Sequence, residues 1–213
     1  MFIRKGKPDV IARVVMCDIS KLQEHDVLVN CSNSSMSGSF NQKSYWMFAG
    51  RKNVDTALHQ AAGPQLLEAC LSFPEIKTGV RCEIGQSKIT NAFGSVNSKY
   101  IVHTVGPRYN NNQNFQLTNN LLVSCYFSSL VLADTVGSKS IAFPAISCGV
   151  GDLPPHVSAT ASIQAMNKYY ESDGDACRQR RSVTTISFCM IESKTWWAWQ
   201  KAMKSSNSWE AQS

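Results

Sequence analysis

The chain has 213 residues, 43% of them hydrophobic and 17% charged, with a formal net charge of +6. That length sustains one good-sized core and is short for two, and the balance of apolar to charged residues excludes a disordered chain. No apolar run approaches the roughly 20 residues that span a bilayer, and Met1-Phe2-Ile3-Arg4-Lys5 lacks the apolar stretch of a signal peptide, so an intracellular protein, cytoplasmic or nuclear, without membrane contact is expected.

Strand-like runs rich in Val, Ile and Phe fall at 10–17, 27–30, 82–92, 100–105, 140–146 and 183–189, each bounded by Gly, Asp or Asn. Helical periodicity marks 54–71, 117–135, 155–170 and 194–204; in the second of these Leu117, Leu121, Leu122, Cys125, Leu130 and Val131 recur at about 3.6-residue spacing. Such alternation predicts an α/β layered fold with a mixed sheet. The stretches 36–52, 108–116 and 171–182 read as loops or insertions. With no repeat and no linker, a single domain over residues 1–205 is expected, followed by a polar, frayed tail at 206–213.

Eight cysteines could suggest disulfides, but their placement argues otherwise. Cys17, Cys82 and Cys189 sit in or beside β-like runs, Cys70 and Cys125 in helical ones, and no C-x-x-C pair occurs. Buried structural thiols are expected, with no disulfide framework, no metal and no cofactor. The basic groups Arg4-Lys5-Lys7, Arg51-Lys52 and Arg178-Arg180-Arg181 fit an anionic partner and an ordinary solvated surface about equally.

The stretch "SIAFPAISCGVGDLPP" at 140–155 is the most informative. An apolar strand passes straight into small residues, and a proline pair opens the next helix. In open α/β sheets ligands sit beyond the carboxyl ends of strands. A loop of small residues leading to a helix N-terminus offers unpaired N–H groups to phosphate, and Gly149 and Gly151 would allow close approach. A tight turn with no ligand explains the same residues, and the stretch by itself leaves both readings open.

Several blocks together resemble the macrodomain family: "CDISKLQEHDVLVNCSN" (17–33), "VDTALHQAAGPQL" (54–66), "CEIGQSKITNAF" (82–93), "YIVHTVGP" (100–107), "SIAFPAISCGVG" (140–151) and "ISFCMIESKTWWAWQKAM" (186–203). Six blocks in family order, over residues 10 to 203, imply a three-layer α/β/α macrodomain with a central mixed β-sheet. The resemblance also implies binding of ADP-ribose, free or on a protein, in a cleft at the carboxyl ends of the strands, with removal of mono-ADP-ribose from modified proteins left open. The expected partners are ADP-ribose or an ADP-ribosylated protein, with the chain a monomer. A degenerate pocket that takes nucleic acid or protein is the alternative.

Residue by residue, Asp18 matches the aspartate that accepts from the adenine amino group, with Ile19 supplying an N–H beside it; capping of the turn at Ser20 is the competing role. Asn33 matches the asparagine at the distal ribose, and Asn30 is read as bracing that loop through side-chain bonds. Ser147, Cys148, Gly149, Val150 and Gly151 match the loop that holds the diphosphate, and Ile191 lies where an aromatic commonly covers adenine. Asp55 matches the residue that positions water against the anomeric carbon, with Asn33 beside it; an acidic residue favoured by a helix dipole is the other explanation. His103 and His59 read as structural, the latter as a partner of Asp55.

Three departures from the family pattern weigh against turnover and leave binding favoured. Between Asn33 and Asp55 lies an inserted stretch in which Gly50-Arg51-Lys52-Asn53 replaces a glycine run. Gly151-Asp152-Leu153 lacks the family's aromatic, and Asp152 adds a negative charge near the proposed diphosphate. Ile191 loses the stacking that an aromatic would give. Tyr45-Trp46 and Trp196-Trp197 would suit nucleic acid, although packing of the last helix explains Trp196 and Trp199 more simply.

Overall fold

A computed structural model describes residues 1–38, 53–109, 114–171 and 181–212. Tyr45, Trp46, Gly50, Arg51, Lys52, Cys177, Arg178 and Arg180 lie outside the described residues. In chain order the elements are β1 (Phe2–Arg4), β2 (Lys7–Met16), a 3-10 turn (Ile19–Lys21), β3 (Val27–Cys31), α1 (Val54–Ala62), α2 (Pro64–Leu71), β4 (Ser87–Asn91), β5 (Tyr100–Thr104), α3 (Phe115–Thr135), β6 (Ser140–Pro144), α4 (Pro155–Glu171), β7 (Thr185–Met190), α5 (Ser193–Ser205) and β8 (Trp209–Ala211).

The strands form one sheet in the order β4-β5-β3-β6-β7-β2-β1-β8. β5, β3, β6, β7 and β2 run parallel, and β4, β1 and β8 add antiparallel flanks. The period-2 alternation of side chains builds both outer layers. Val27, Val29, Val102, Ile141, Phe143, Ile186 and Phe188 bury one face against residues of α3, α4 and α5 such as Tyr126, Met166 and Trp199. Leu28, Ile101, Ala142 and Cys189 bury the other against Leu58, Ala62, Leu66 and Cys70 of α1 and α2. This is the expected three-layer mixed-sheet architecture.

Several boundaries differ from the sequence reading, each for a local reason. The helix expected over 54–71 is two helices: Gly63 takes φ 76°, its N–H closes α1 on His59 O at 2.9 Å, and Pro64 opens α2. The strand expected from Cys82 starts only at Ser87. Gly85 stands at φ 88°, where an added Cβ would meet Leu121 Cδ2 at 2.9 Å, so no ladder runs through it. β6 stops at Pro144, which has no N–H to continue a ladder.

The frayed tail is overturned. Trp209 is 3% exposed and begins β8, which pairs with β1, a strand the sequence reading did not contain. The Arg4 guanidinium lies 5.0 Å from the Tyr170 ring centroid and 5.7 Å from that of Trp209, and bonds Glu171 and Asn167 at 2.9 Å each. Stacking and ion pairing together hold this sheet edge onto α4. All seven described cysteines are free thiols. Burial pushes Cys70 up to about 12 and Cys82 and Cys125 up to about 11, as suits inert core residues. No described helix is long and apolar enough to cross a membrane.

Two carboxylates fasten the end of the sheet away from the strand carboxyl termini. Asp26 Oδ2 accepts from Lys139 N at 2.8 Å and Ser140 N at 3.3 Å, and Oδ1 pairs with Lys99 Nζ at 2.8 Å. Asp134 Oδ1 accepts from Ser182 N and Oγ at 2.7 Å each, and Oδ2 from Arg181 at 3.2 Å. Partial burial by itself would raise both pKa values, but these donors outweigh it and hold both below the usual carboxylate value. A depressed folded-state pKa contributes stability above the unfolded value of roughly 4, and that stability is lost as pH falls through the folded value. The urea midpoint is therefore expected to drop on acidification below about pH 4, less steeply in Asp134→Asn. An unchanged slope in that variant would remove Asp134 from the account.

Candidate functional site

The parallel strands β2, β7, β6, β3 and β5 end on one side of the sheet, side by side in that order. At the end of β2, Asp18 caps the 3-10 turn: its Oδ1 accepts from Ser20 N at 3.0 Å and Ser20 Oγ at 2.7 Å. The capping role weighed in the sequence therefore exists, and it occupies one carboxylate oxygen; among the described residues Oδ2 makes no hydrogen bond. Ile19 buries its side chain, 3% exposed, while its N–H has no acceptor within the described chain. Cys17 N donates to Met190 O at 3.0 Å and joins this turn to the end of β7, where Ile191 stands 70% exposed.

At the end of β6 the loop 147–151 folds on itself. Ser147 takes φ 64°, and its carbonyl accepts from Leu153 N at 2.9 Å; Asp152 N donates to Gly149 O at 3.0 Å. A Cβ on Gly151 would stand 2.6 Å from Ser147 O, so only glycine fits there, whereas one on Gly149 would meet nothing within 4 Å. Among the described residues the N–H groups of Gly149, Val150 and Gly151 have no acceptor. Ser147 Oγ is buried and unpartnered among the described residues. The Cys148 thiol is pushed up to about 12, mainly by burial, and donates to Ile146 O at 3.6 Å, while its N–H is spent on Ala145 O at 3.2 Å, so Cys148 shapes the turn rather than supplying a nucleophile or a free donor. Asp152 is exposed, with φ 53°.

At the end of β3, Asn33 Oδ1 accepts from Ser35 Oγ at 2.7 Å and Nδ2 donates to Gly38 O at 3.4 Å. Arg81 clamps the same segment through Ser35 O at 3.2 Å and bonds Glu75 at 3.0 Å. Asn30, beneath it, is fully buried and donates from Nδ2 to Asp55 Oδ1 at 2.7 Å. Asp55, in the first turn of α1, is itself 3% exposed. His59 Nε2 lies 3.5 Å from Asp55 Oδ1, an electrostatic contact rather than a hydrogen bond, since Nε2 has no hydrogen-bond partner among the described residues. A Cβ on Gly38 would come to 3.3 Å from that Nε2, so the Asn33 segment rests directly on the His59 ring.

Asp18, Ile19 and Ile191 are thus gathered at one end of the row, residues 147–151 at its centre, and Asn33, Asn30 and Asp55 at the other end. Ser35 and Tyr109 escaped the sequence reading. Ser35 was legible as a hydroxyl two residues after Asn33. Tyr109, 46% exposed, donates its N–H to Gly151 O at 2.7 Å and brings an aromatic from the loop after β5 beside the small-residue loop. Among the described residues no three His, Cys, Asp or Glu side chains come together as metal ligands would.

The sequence model of the Macro domain family matches residues 29–162. A macro domain-containing protein of Xanthomonas axonopodis pv. citri is 38% identical over 155 residues, 73% of this chain and 78% of that protein. One of Listeria monocytogenes is 33% identical over 192 residues, 90% and 96% of the two chains. Among solved structures, the Oceanobacillus iheyensis macrodomain with ADP superposes with a TM-score of 0.75 at 29% identity, covering 96% of this chain and 95% of that one. The Trypanosoma brucei macrodomain in complex with ADP-ribose gives 0.67 at 25% identity, covering 89% and 68%.

Proposed function

The chain belongs to the macrodomain family, and from that premise we propose that it binds ADP-ribose, free or attached to protein, across the carboxyl ends of its parallel strands. The observation that carries the reading is the trio of N–H groups on Gly149, Val150 and Gly151, which lack acceptors among the described residues and stand midway along the row. A diphosphate needs such oriented donors, and glycine lets it approach them. Asp18 Oδ2 and the Ile19 N–H would then meet the adenine edge, with Ile191 as an aliphatic cover, and Asn33 would meet the distal ribose. The solved macrodomains with ADP and with ADP-ribose support this assignment.

Calorimetric titration with ADP-ribose, ADP and AMP tests it. ADP-ribose is expected to bind most tightly and AMP at least about tenfold more weakly, because AMP engages one end of the row alone. Asp18→Ala removes a charged acceptor and should weaken ADP-ribose by about tenfold or more. No heat and no thermal shift at millimolar ligand would end the proposal.

The buried Asn30–Asp55 bond favours a second, narrower reading: removal of mono-ADP-ribose from modified protein. A carboxylate held at 2.7 Å by Asn30 beneath the Asn33 segment supports that reading, since orienting water at the anomeric carbon asks for a fixed carboxylate near the residue proposed to meet the distal ribose.

A further inference from the structure

The Asn30 amide is oriented by something other than its own satisfaction. Both Nδ2 hydrogens are committed, one to Asp55 Oδ1 at 2.7 Å and the other to His103 Nδ1 at 3.1 Å, while Oδ1 stays buried without a partner among the described residues. The reversed amide would press Oδ1 against a carboxylate oxygen, so Asp55 demands Nδ2 on that side. Nδ2 in turn demands a ring nitrogen that accepts.

His103 meets that demand. It is fully buried, and burial, reinforced by neighbouring His59, pushes its pKa down to about 3, so the ring is neutral under working conditions. A neutral ring carries one N–H. Thr90 Oγ1 lies 3.0 Å from Nε2, and an N–H placed there donates to it and leaves Nδ1 as the acceptor. The register of the sheet makes the meeting unavoidable, since Asn30 and His103 are direct partners across β3 and β5. Cys70 Sγ sits 3.6 Å from Nε2 and 3.8 Å from Nδ1, a weaker sulfur contact to the same ring beside the shorter bonds from Asn30 and Thr90.

We propose that His103 is a positioning residue: anchored by Thr90, it holds the Asn30 amide so that it donates to Asp55 and fixes the carboxylate for removal of ADP-ribose. The relay Thr90–His103–Asn30–Asp55 joins β4, β5, β3 and α1 through a layer otherwise filled by Leu28, Leu58, Leu66 and Ile101. Apolar residues would fill that space with less risk of unpaired polar groups. The proposal rests on the reading of Asp55 as the group that acts at the anomeric carbon.

Two variants test it, His103→Leu, which has no acceptor, and His103→Asn, whose amide oxygen can stand where Nδ1 does. The Asn30 side-chain amide signals are followed by NMR in the unliganded protein, and release of ADP-ribose from a mono-ADP-ribosylated protein is timed alongside. In His103→Leu the Asn30 signals should move and release should slow by about tenfold or more, with His103→Asn restoring most of both. Unmoved signals in His103→Leu, or equal losses in the two variants, would overturn the positioning role. Failure of the underlying reading has a different signature: no release by the unaltered chain, while the Asn30 signals still respond. If His103→Leu does not fold, Thr90→Val, which keeps the shape and removes the acceptor for Nε2–H, must shift the Asn30 signals, and silence there would equally overturn the role.

Discussion

Replacing Gly151 with alanine is expected to weaken ADP-ribose binding by about 100-fold while the sheet stays folded. The added methyl would stand 2.6 Å from Ser147 O, 3.0 Å from Ser147 Cα and 3.1 Å from Ser147 C. These are backbone atoms, and no rotamer change relieves the clash. Ser147 is also the residue whose carbonyl closes the turn onto Leu153 N, so relief requires the loop to reopen. Its three donors would then no longer converge, and an affinity loss of about 100-fold is a reasonable scale for losing two or more charge-assisted bonds together. The turn is exposed at Gly149 and Val150, so the core should tolerate the rearrangement. Gly149→Ala is the control: its methyl meets nothing within 4 Å, and binding should change far less. Titration of the two variants, with circular dichroism to confirm folding, decides the matter. Equal affinities in both would mean that the loop does not hold the diphosphate.

The second large effect concerns Asp55, and the choice of substitution matters. Alanine would leave the buried Nδ2 of Asn30 short of one acceptor, which costs about 1–3 kcal/mol of stability, so lost activity in Asp55→Ala mixes chemistry with a damaged fold. Asparagine retains an oxygen that can accept from Asn30 and removes the charge. Asp55→Asn is therefore expected to keep its melting temperature within a few degrees and to bind ADP-ribose within a few-fold of the unaltered chain, while release of ADP-ribose from modified protein falls by about 100-fold or more. Release at the original rate in Asp55→Asn would sink the hydrolytic reading and leave binding standing. The two measurements together separate a protein that reads ADP-ribose from one that also removes it.

Much of this architecture could be read in the residues because it is local. The apolar run of β3, the helical spacing in α3 and the apolar run into Ser147 each declare themselves within a few positions. The missed parts depend on distant partners. β1 and β8 are three residues each, too short to show a period, and Trp209 in a polar tail is explained only by Arg4 and Tyr170. Gly63 and Gly85 split expected elements through positive φ values that composition does not announce. At the site, the positions of Asp18, Asn33 and residues 147–151 came from their resemblance to a family, but their engagements did not. The bond from Ser20 to Asp18 is local and was open to reading in the residues, whereas the shared register of His103 and Asn30 follows from strand pairing between segments 73 residues apart. The exposure of Tyr109 beside Gly151 likewise needed the sheet order.

The pairing of β1 with β8 has a topological corollary. Gln212 N donates to Met1 O at 3.0 Å, so the two described ends of the polypeptide meet, and the path of the backbone is nearly a closed ring. A short flexible linker could join them, and the ring could be cut afresh at an exposed turn such as that at Gly79. Partners fused at either end would emerge side by side from one sheet edge, next to β2 and the Asp18 end of the row. Copies strung in tandem would therefore be tethered through a single edge each.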